Sequence, residues 1–468
     1  MRAATRDPGS FRDPSGVVFE SGGKVYRALS ERGWATFLPV LESGILDSWA
    51  SRGDCVSTVV VADDRFPDLP PLPFKPAMLL EHGRVAYVSY PYEWPFELLK
   101  RAALLHLNLQ IEALNAGFCF SDSSAYNVQF QGPKPLLMDV LSVRPYREGD
   151  IWFGYRQFCE QFLNPLLLTA KCGVEFGPWY RGALHGIGIE DLARLLPLRS
   201  MFSFNILSHV LLHAKLTENM RRRQSNSPAV PKRNLSRRAL SSLLQSMARW
   251  IQSLNPSSSI RTFWEDYEKH NSYAPEQAEA KRAFIHRYVR DAHPTTLFDI
   301  GCNSGEYSEI AMAAGVESAV GFDFDQGALS AAVARASSKE LDLLPLHLDV
   351  SNPSPNQGWG EVERKGFGVR CRAEGLLALA LIHHIVIGNN VPIDQAVQFL
   401  VEIAPTGVIE FVPKADPMVV GMLSSREDIF DNYDLGTFRA LLSERADIVA
   451  EAALSAQGRT LFQYVVRQ

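Results

Sequence analysis

Apolar and polar positions change rhythm along the chain, and the change marks its parts. From Phe263 onward, short apolar runs alternate with helical segments. A helix precedes Leu297-Phe298-Asp299-Ile300, which predicts a buried strand. A helix follows from about Tyr307 to Ala314, then a strand from Ser318 to Phe322 and a helix from Gln326 to Ser337. Further strands are predicted over Leu343 to Leu348, Gly375 to Ile382 and Gly407 to Val412. Strands alternating with helices imply a parallel sheet covered on both faces, an α/β architecture. Ile448 to Ala453 and Leu461 to Val466 flank Ala456-Gln457-Gly458, which predicts a closing antiparallel hairpin.

The first half reads differently. Residues 17–215 are dense in apolar and aromatic side chains and predict an α+β domain behind a flexible N-terminus, 1–16. Val85 to Ser89 reads as a strand leading into Tyr90-Pro91-Tyr92, and Phe96 to Ala116 as a helix. Residues 216–262 read as a linker. They hold Arg221-Arg222-Arg223, Pro231-Lys232-Arg233 and an amphipathic helix, Leu235 to Leu254, with Leu240, Leu243, Leu244, Met247 and Trp250-Ile251 near helical spacing. Residues 263–468 form the last domain.

Composition narrows the class. The 468 residues are 46% hydrophobic and 21% charged, ordinary for a globular protein of two or three domains. A net charge of −5 argues against a dedicated nucleic-acid binder. The start, Met1-Arg2-Ala3-Ala4-Thr5-Arg6-Asp7-Pro8-Gly9, has no apolar core and does not read as a secretory signal. Met201 to Ala214 is interrupted by Ser, Asn and His, so no membrane span is expected. Six scattered cysteines without a C-x-x-C pair predict neither a metal site nor a disulfide framework, and a reducing, cytoplasmic setting.

Chemistry concentrates at Phe298-Asp299-Ile300-Gly301-Cys302-Asn303-Ser304-Gly305-Glu306-Tyr307-Ser308. Here a strand passes through a glycine-bearing loop into a helix. Gly301 and Gly305 permit a sharp turn and close approach of a ligand. Asp323 lies 22 residues after Gly301, at the end of the next strand. A carboxylate there can accept hydrogen bonds from both ribose hydroxyls of a nucleoside cofactor. A dinucleotide loop would want a glycine where Asn303 stands. Glu306, in the first helical turn, would repel a pyrophosphate but tolerate an amine and a sulfonium. The loop therefore favours S-adenosylmethionine.

This D-x-G-x-x-x-G loop resembles the first motif of class I S-adenosylmethionine-dependent methyltransferases. The resemblance implies a Rossmann-like, seven-stranded domain with a terminal antiparallel hairpin. It implies that Asp299 supports the methionine end of the cofactor and that Asp323 binds its ribose. Gly301, Asn303 and Gly305 would line the loop. Leu346-His347-Leu348-Asp349-Val350 resembles the third motif, so Asp349 would meet the adenine amino group. Ala378-Leu379-Ala380-Leu381-Ile382-His383-His384 is similar to the fourth strand and the residues after it. His383 or His384 is then the candidate base, or it positions the acceptor; the plainer reading packs one beneath the next helix. Glu410 orients the acceptor or a histidine, or is a solvated strand end. Asn389-Asn390 belongs to the same loop.

Upstream, Asp122, Asn127 and, twelve residues later, Asp139 resemble the catalytic and metal-binding loops of kinase-like folds. Asp139 is followed by Val140-Leu141 rather than Phe-Gly, and Arg27 stands where a lysine is expected. Ser21-Gly22-Gly23-Lys24 is a thin substitute for a phosphate-binding loop. In the plainer reading, Asp122 and Asn127 cap a turn and Asp139 ends a strand. Ser89-Tyr90-Pro91-Tyr92-Glu93-Trp94, the Asp122 loop, Tyr155-Arg156-Gln157-Phe158 and the methyltransferase motifs, in that order, resemble the bacterial family that includes nodulation protein NoeA. That resemblance implies a cytoplasmic methyltransferase tied to host-specific nodulation, with a small-molecule or saccharide-precursor acceptor methylated on oxygen. Two alternatives remain open. One is an RNA methyltransferase gripping phosphates with Arg221–Arg223 and Arg237-Arg238. The other is a non-catalytic, cofactor-binding regulator with a pseudokinase-like first domain.

Overall fold

A computed structural model describes residues 4–62, 66–150, 152–211, 236–258, 275–455 and 458–467. The chain divides into two units. The N-terminal unit comprises Met1–Phe130, Lys134–Arg261 and Asn356–Lys365; the C-terminal unit comprises Gln131–Pro133, Thr262–Pro355 and Gly366–Gln468.

In the N-terminal unit, β1 (Thr5–Arg6), β2 (Gly16–Ser21), β3 (Lys24–Leu29), β4 (Thr58–Val60) and β5 (Met78–His82) form one sheet in the order β1-β2-β3-β5-β4. Every pairing in it is antiparallel. The stretch 1–16, expected to be flexible, thus carries β1 and the first residue of β2 over its described part. Gly22 and Gly23, both at positive φ (57° and 81°), form the two-residue turn between β2 and β3. The backbone twist of such a turn suits a hairpin, so this glycine pair is hairpin chemistry and not a phosphate loop.

Val85 to Ser89 is not a strand; the strand lies earlier, at β5. Gln129 explains why. Its Oε1 accepts the Ser89 N–H at 2.9 Å and its Nε2 donates to the Ser89 carbonyl at 2.9 Å. A side chain here satisfies backbone groups that a ladder would otherwise take. The helix Phe96–Asn115 follows, burying Leu98, Leu99, Ala102, Ala103, Leu107, Ala113 and Leu114. Short pairs complete the unit: β6 (Phe118–Phe120) with β9 (Val143–Pro145), and β7 (Val128–Gln131) with β8 (Lys134–Leu137).

The amphipathic helix spans Arg237–Ser253 and begins at Ser236, whose Oγ accepts the Ala239 N–H. It packs on Phe96–Asn115 and buries Leu240, Leu244, Met247 and Ile251, spaced by three and four. It is part of the N-terminal unit, not of a linker. Arg221–Arg223 and Pro231–Arg233 lie outside the described residues.

The segment Asn356–Lys365 is held within the N-terminal unit by side chains. Arg12 grips Glu363 with two bonds of 2.8 and 3.0 Å. Gln357 Nε2 donates to the Arg181 carbonyl at 2.8 Å, and the Arg364 guanidinium lies 4.4 Å from the Tyr126 ring centroid.

The C-terminal unit holds β10 (Thr296–Ile300), β11 (Ser318–Asp323), β12 (Leu343–His347), β13 (Gly375–Ala378), β14 (Thr406–Phe411), β15 (Ala446–Ala453) and β16 (Thr460–Val466). Their order is β12-β11-β10-β13-β14-β16-β15. The first five are parallel, and β16 runs antiparallel to both β14 and β15. β13 is buried throughout, as a strand covered on both faces must be. Edge strand β15 alternates between exposed and partly buried positions after Ala446. Of the predicted hairpin turn, Ala456 and Gln457 lie outside the described residues. Strand order reverses direction between β10 and β13. At such a switch point the carboxyl ends of the strands leave a crevice, where open α/β sheets bind ligands.

Candidate functional site

The glycine loop leaves β10 at that switch point. Gly301 (φ 82°), Asn303 (φ 52°) and Gly305 (φ 75°) all adopt left-handed backbone. A Cβ on Gly305 would come 2.8 Å from Leu343 Cδ2, so space and conformation both demand glycine. Asn303 meets the left-handed requirement as the non-glycine residue that tolerates it best, and its Oδ1 accepts the Ser304 N–H at 2.6 Å.

Asp323 closes the loop from the end of β11. Its Oδ2 accepts the Asn303 N–H at 2.8 Å and its Oδ1 the Asp325 N–H at 3.0 Å. Each oxygen keeps a lone pair for a ligand hydroxyl. Burial pushes this carboxyl up to about 6, against the pull of those two N–H groups. Phe324 follows with half its surface exposed. Sequence reasoning missed this ring, although an aromatic between two aspartates at a strand end is itself a signal.

Asp299, near the end of β10, is 1% exposed, and its Oδ2 accepts the Ser308 hydroxyl at 2.6 Å. Burial pushes it up to about 6; the Ser308 bond and the Lys281 charge act the other way. Asp349 is exposed beyond β12, where its Oδ1 accepts from both the N–H and the hydroxyl of Ser351. Hydrogen bonds therefore tie Asp323 to the loop and Asp299 to the helix that follows it, and Asp349 sits beyond the end of the strand next to β11.

His383 and His384 lie beyond β13, at the start of a π-helical turn, His384–Gly388. Their rings are 4.2 Å apart. His383 is 1% exposed, and its Nδ1 has no hydrogen-bond partner. Burial lowers its pKa well below the usual imidazole range, assisted by His384 and Arg459. Burial lowers His384 as well. Both rings are therefore neutral at neutral pH, the form that can accept a proton. Asn389 folds back on this turn, donating from Nδ2 to the His384 carbonyl.

Glu410 is a correction. It is not a solvated strand end but fully buried, and its oxygens face Lys281 Nζ at 2.7 Å and Arg459 Nη1 at 3.3 Å. A carboxylate engaged by two cations is a poor proton acceptor. Lys281 escaped sequence reasoning, yet it shares a helical stripe with Phe284, Ile285, Tyr288 and Val289. A lone lysine at an apolar position was the available signal.

In the N-terminal unit, Asp139 Oδ1 accepts from Arg27 Nη1 at 2.7 Å, and Arg27 Nη2 lies 3.4 Å from Asp13. Asp122 Oδ1 accepts the Ser124 N–H at 2.9 Å, a turn-capping bond. Its carboxyl is pushed up by burial, with Asp139 adding to the effect. Among the described residues no cluster of three or more His, Cys, Asp or Glu is placed to hold a metal ion.

No family model matches the sequence. Nodulation protein NoeA of Rhizobium meliloti (strain 1021) is 40% identical over 463 residues, covering 98% of this chain and 96% of that protein. The chain belongs to the NoeA family. Among solved structures, it resembles the N-methyltransferase NodS from Bradyrhizobium japonicum at 12% identity and a TM-score of 0.32, over 42% of this chain and 98% of that one. NodS in complex with S-adenosyl-L-homocysteine gives 10% identity and a TM-score of 0.32, over 44% of this chain and 100% of that one. WbdD, a bifunctional kinase-methyltransferase, gives 17% identity and a TM-score of 0.30, over 42% of each chain. These TM-scores are low, and the fold assignment rests on the strand order itself. No described helix is long and apolar enough to cross a membrane.

Proposed function

We propose that the C-terminal unit of this NoeA-family protein is an S-adenosylmethionine-dependent methyltransferase. The observation that carries this reading is the glycine loop tied to Asp323 at the switch point of the sheet. The residues fit the cofactor. Gly301 and Gly305 keep the loop open to close approach, and Asp323 has acceptor capacity for two ribose hydroxyls. Phe324 offers a ring face to adenine, Asp349 an acceptor for its amino group, and Asp299 a carboxylate toward the methionine end. Glu306 opens the helix after the loop, where a pyrophosphate would be repelled.

When bound, the cofactor supplies a methyl group on a sulfonium. The protein's task is then alignment of an acceptor with that methyl. His383, neutral and with an unpartnered ring nitrogen, accepts the proton of a hydroxyl acceptor, and His384 packs beside it. The family's tie to nodulation supports a small-molecule or saccharide-precursor acceptor, methylated on oxygen. Six free cysteines suit a cytoplasmic site of action. For the N-terminal unit, the antiparallel sheet, the helix Phe96–Asn115 and the Asp122 loop support a kinase-like ancestry. Arg27 on Asp139 favours a worn site without metal-dependent phosphotransfer.

The deciding experiment incubates a cell extract with the protein and isotopically labelled cofactor, then searches by mass spectrometry for labelled species. A labelled saccharide or small hydroxyl compound supports the reading. Label in RNA replaces it with an RNA methyltransferase. Cofactor binding by calorimetry without any labelled product leaves a non-catalytic regulator.

A further inference from the structure

One stretch of the N-terminal unit leaves large apolar side chains in water. Leu198 is 77% exposed, Phe202 92% and Phe204 79%. Leu195 and Leu207, on either side, are exposed as well. Single exposed apolar residues are ordinary, but a cluster of them marks an interaction surface.

The same stretch has a second face. It folds as two short helical turns, Leu198–Phe202 and Phe204–Ile206. Interleaved with the apolar residues, Arg199, Ser200 and Ser203 line a cavity of about 370 Å³, together with Lys171 and Trp250. No carboxylate is among its described lining residues. Lys171 and Arg199 make no hydrogen bond or ion pair with any described residue. The Trp250 ring is braced from behind, stacked on His209 at 5.8 Å, and His209 Nδ1 lies 2.8 Å from the Tyr155 hydroxyl.

Two unpaired cations beside two hydroxyl residues, with no acid among them, suit a phosphate. The apolar collar narrows its source. Leu198 and Leu207 offer no ring face to a nucleobase, but they match acyl chains. An indole beside a polar cavity suits the headgroup level of a bilayer. Met201 to Ala214 is too broken by polar residues to span a membrane, whereas a segment lying in the interface needs only one apolar side. The sequence alone extends the charge: 212–235 carries Lys215, Arg221, Arg222, Arg223, Lys232 and Arg233 against one acid, Glu218. Basic residues next to an apolar anchor favour an anionic leaflet.

We propose that this face docks on an anionic lipid surface, with Phe202 and Phe204 entering the interface and Lys171 and Arg199 meeting lipid phosphate. The attachment is to one leaflet and needs no spanning helix. It is independent of the methyltransferase reading.

The test sediments the full-length protein with vesicles of phosphatidylcholine alone and of equimolar phosphatidylcholine and phosphatidylglycerol. Wild type is expected to bind the anionic vesicles at least about tenfold more tightly, with the difference shrinking in high salt. Phe202→Ser with Phe204→Ser is expected to weaken that binding by about tenfold or more. Lys171→Gln with Arg199→Gln is expected to weaken it roughly 10–30-fold. Each variant is first shown to melt cooperatively. If the Lys171 pair does not, Arg199→Gln alone replaces it, with an expected loss of roughly fivefold. Wild type that binds neither vesicle, or variants that bind as tightly as wild type, overturn the proposal. Three further results also overturn it. One is soluble glycerol phosphate bound in calorimetry while vesicles are ignored. Another is RNA bound at low salt while vesicles are ignored. The last is a dimer, seen by light scattering, that Phe202→Ser with Phe204→Ser breaks while vesicle binding is unchanged.

Discussion

The backbone N–H of Asn303 donates to Asp323 Oδ2 at 2.8 Å, so one carboxylate both shapes the glycine loop and ends β11. Replacing Asp323 with alanine removes a ligand acceptor and releases the loop together. S-adenosylhomocysteine affinity should fall about 10–100-fold by calorimetry, the loss typical of hydrogen bonds to a charged group. Asn303→Gly should be nearly neutral, because its left-handed backbone suits glycine, whereas Asn303→Val should weaken binding.

Asp299 makes stability depend on pH. Burial raises its folded pKa to about 6 from the ordinary 3.8 of an aspartate. A group raised on folding contributes stability that is complete below its unfolded pKa and is lost as pH rises through its folded one. The ligand-free protein should therefore lose stability between about pH 4 and pH 6. Asp299→Asn should flatten that slope and stabilise the ligand-free protein at neutral pH by on the order of 1–3 kcal/mol. The same change should weaken cofactor binding. Urea titrations at several pH values, with and without S-adenosylhomocysteine, separate the two effects.

Leu244 is fully buried where the helix Arg237–Ser253 packs on Phe96–Asn115. Leu244→Ala should cost about 2–5 kcal/mol of stability. Gln245→Ala, one residue on and exposed, should stay within about 0.5 kcal/mol. Equal, negligible effects on chemical unfolding would return this helix to a linker.

His383→Ala should lower turnover about 10²–10⁴-fold, the usual contribution of a positioned base, with cofactor affinity held within about twofold. His384→Ala should have the smaller effect on turnover. Steady-state rates with the labelled acceptor, set beside calorimetry, distinguish loss of the base from loss of the pocket.

The C-terminal sheet was legible in sequence because apolar strands and glycine turns are local signals. Asp299, Gly301, Gly305 and Asp323 lie within 25 consecutive residues, which a single reading frame takes in. Arg459 was not legible, since its partners Glu410 and Asp416 are 49 and 43 residues away. Glu410 was noticed but misjudged: a charge inside Gly407-Val408-Ile409-Glu410-Phe411 belongs to a strand buried from Gly407 to Phe411, so it had to be paired. The N-terminal unit was harder. The Ser89 backbone is satisfied by Gln129, forty residues later, and no local pattern announces that.

The bond between Arg12 and Glu363 spans 351 positions of sequence, and this distance has a meaning in time. A ribosome releases Arg12 first and adds roughly 5–20 residues each second. The N-terminal unit thus waits roughly 20–70 s for its last piece. During that interval Tyr126 lacks the guanidinium of Arg364, and the Arg181 carbonyl lacks the amide of Gln357. A messenger cut short after residue 261 would leave the nascent chain in that state permanently. The N-terminal unit matures only once nearly half of the second has been synthesised.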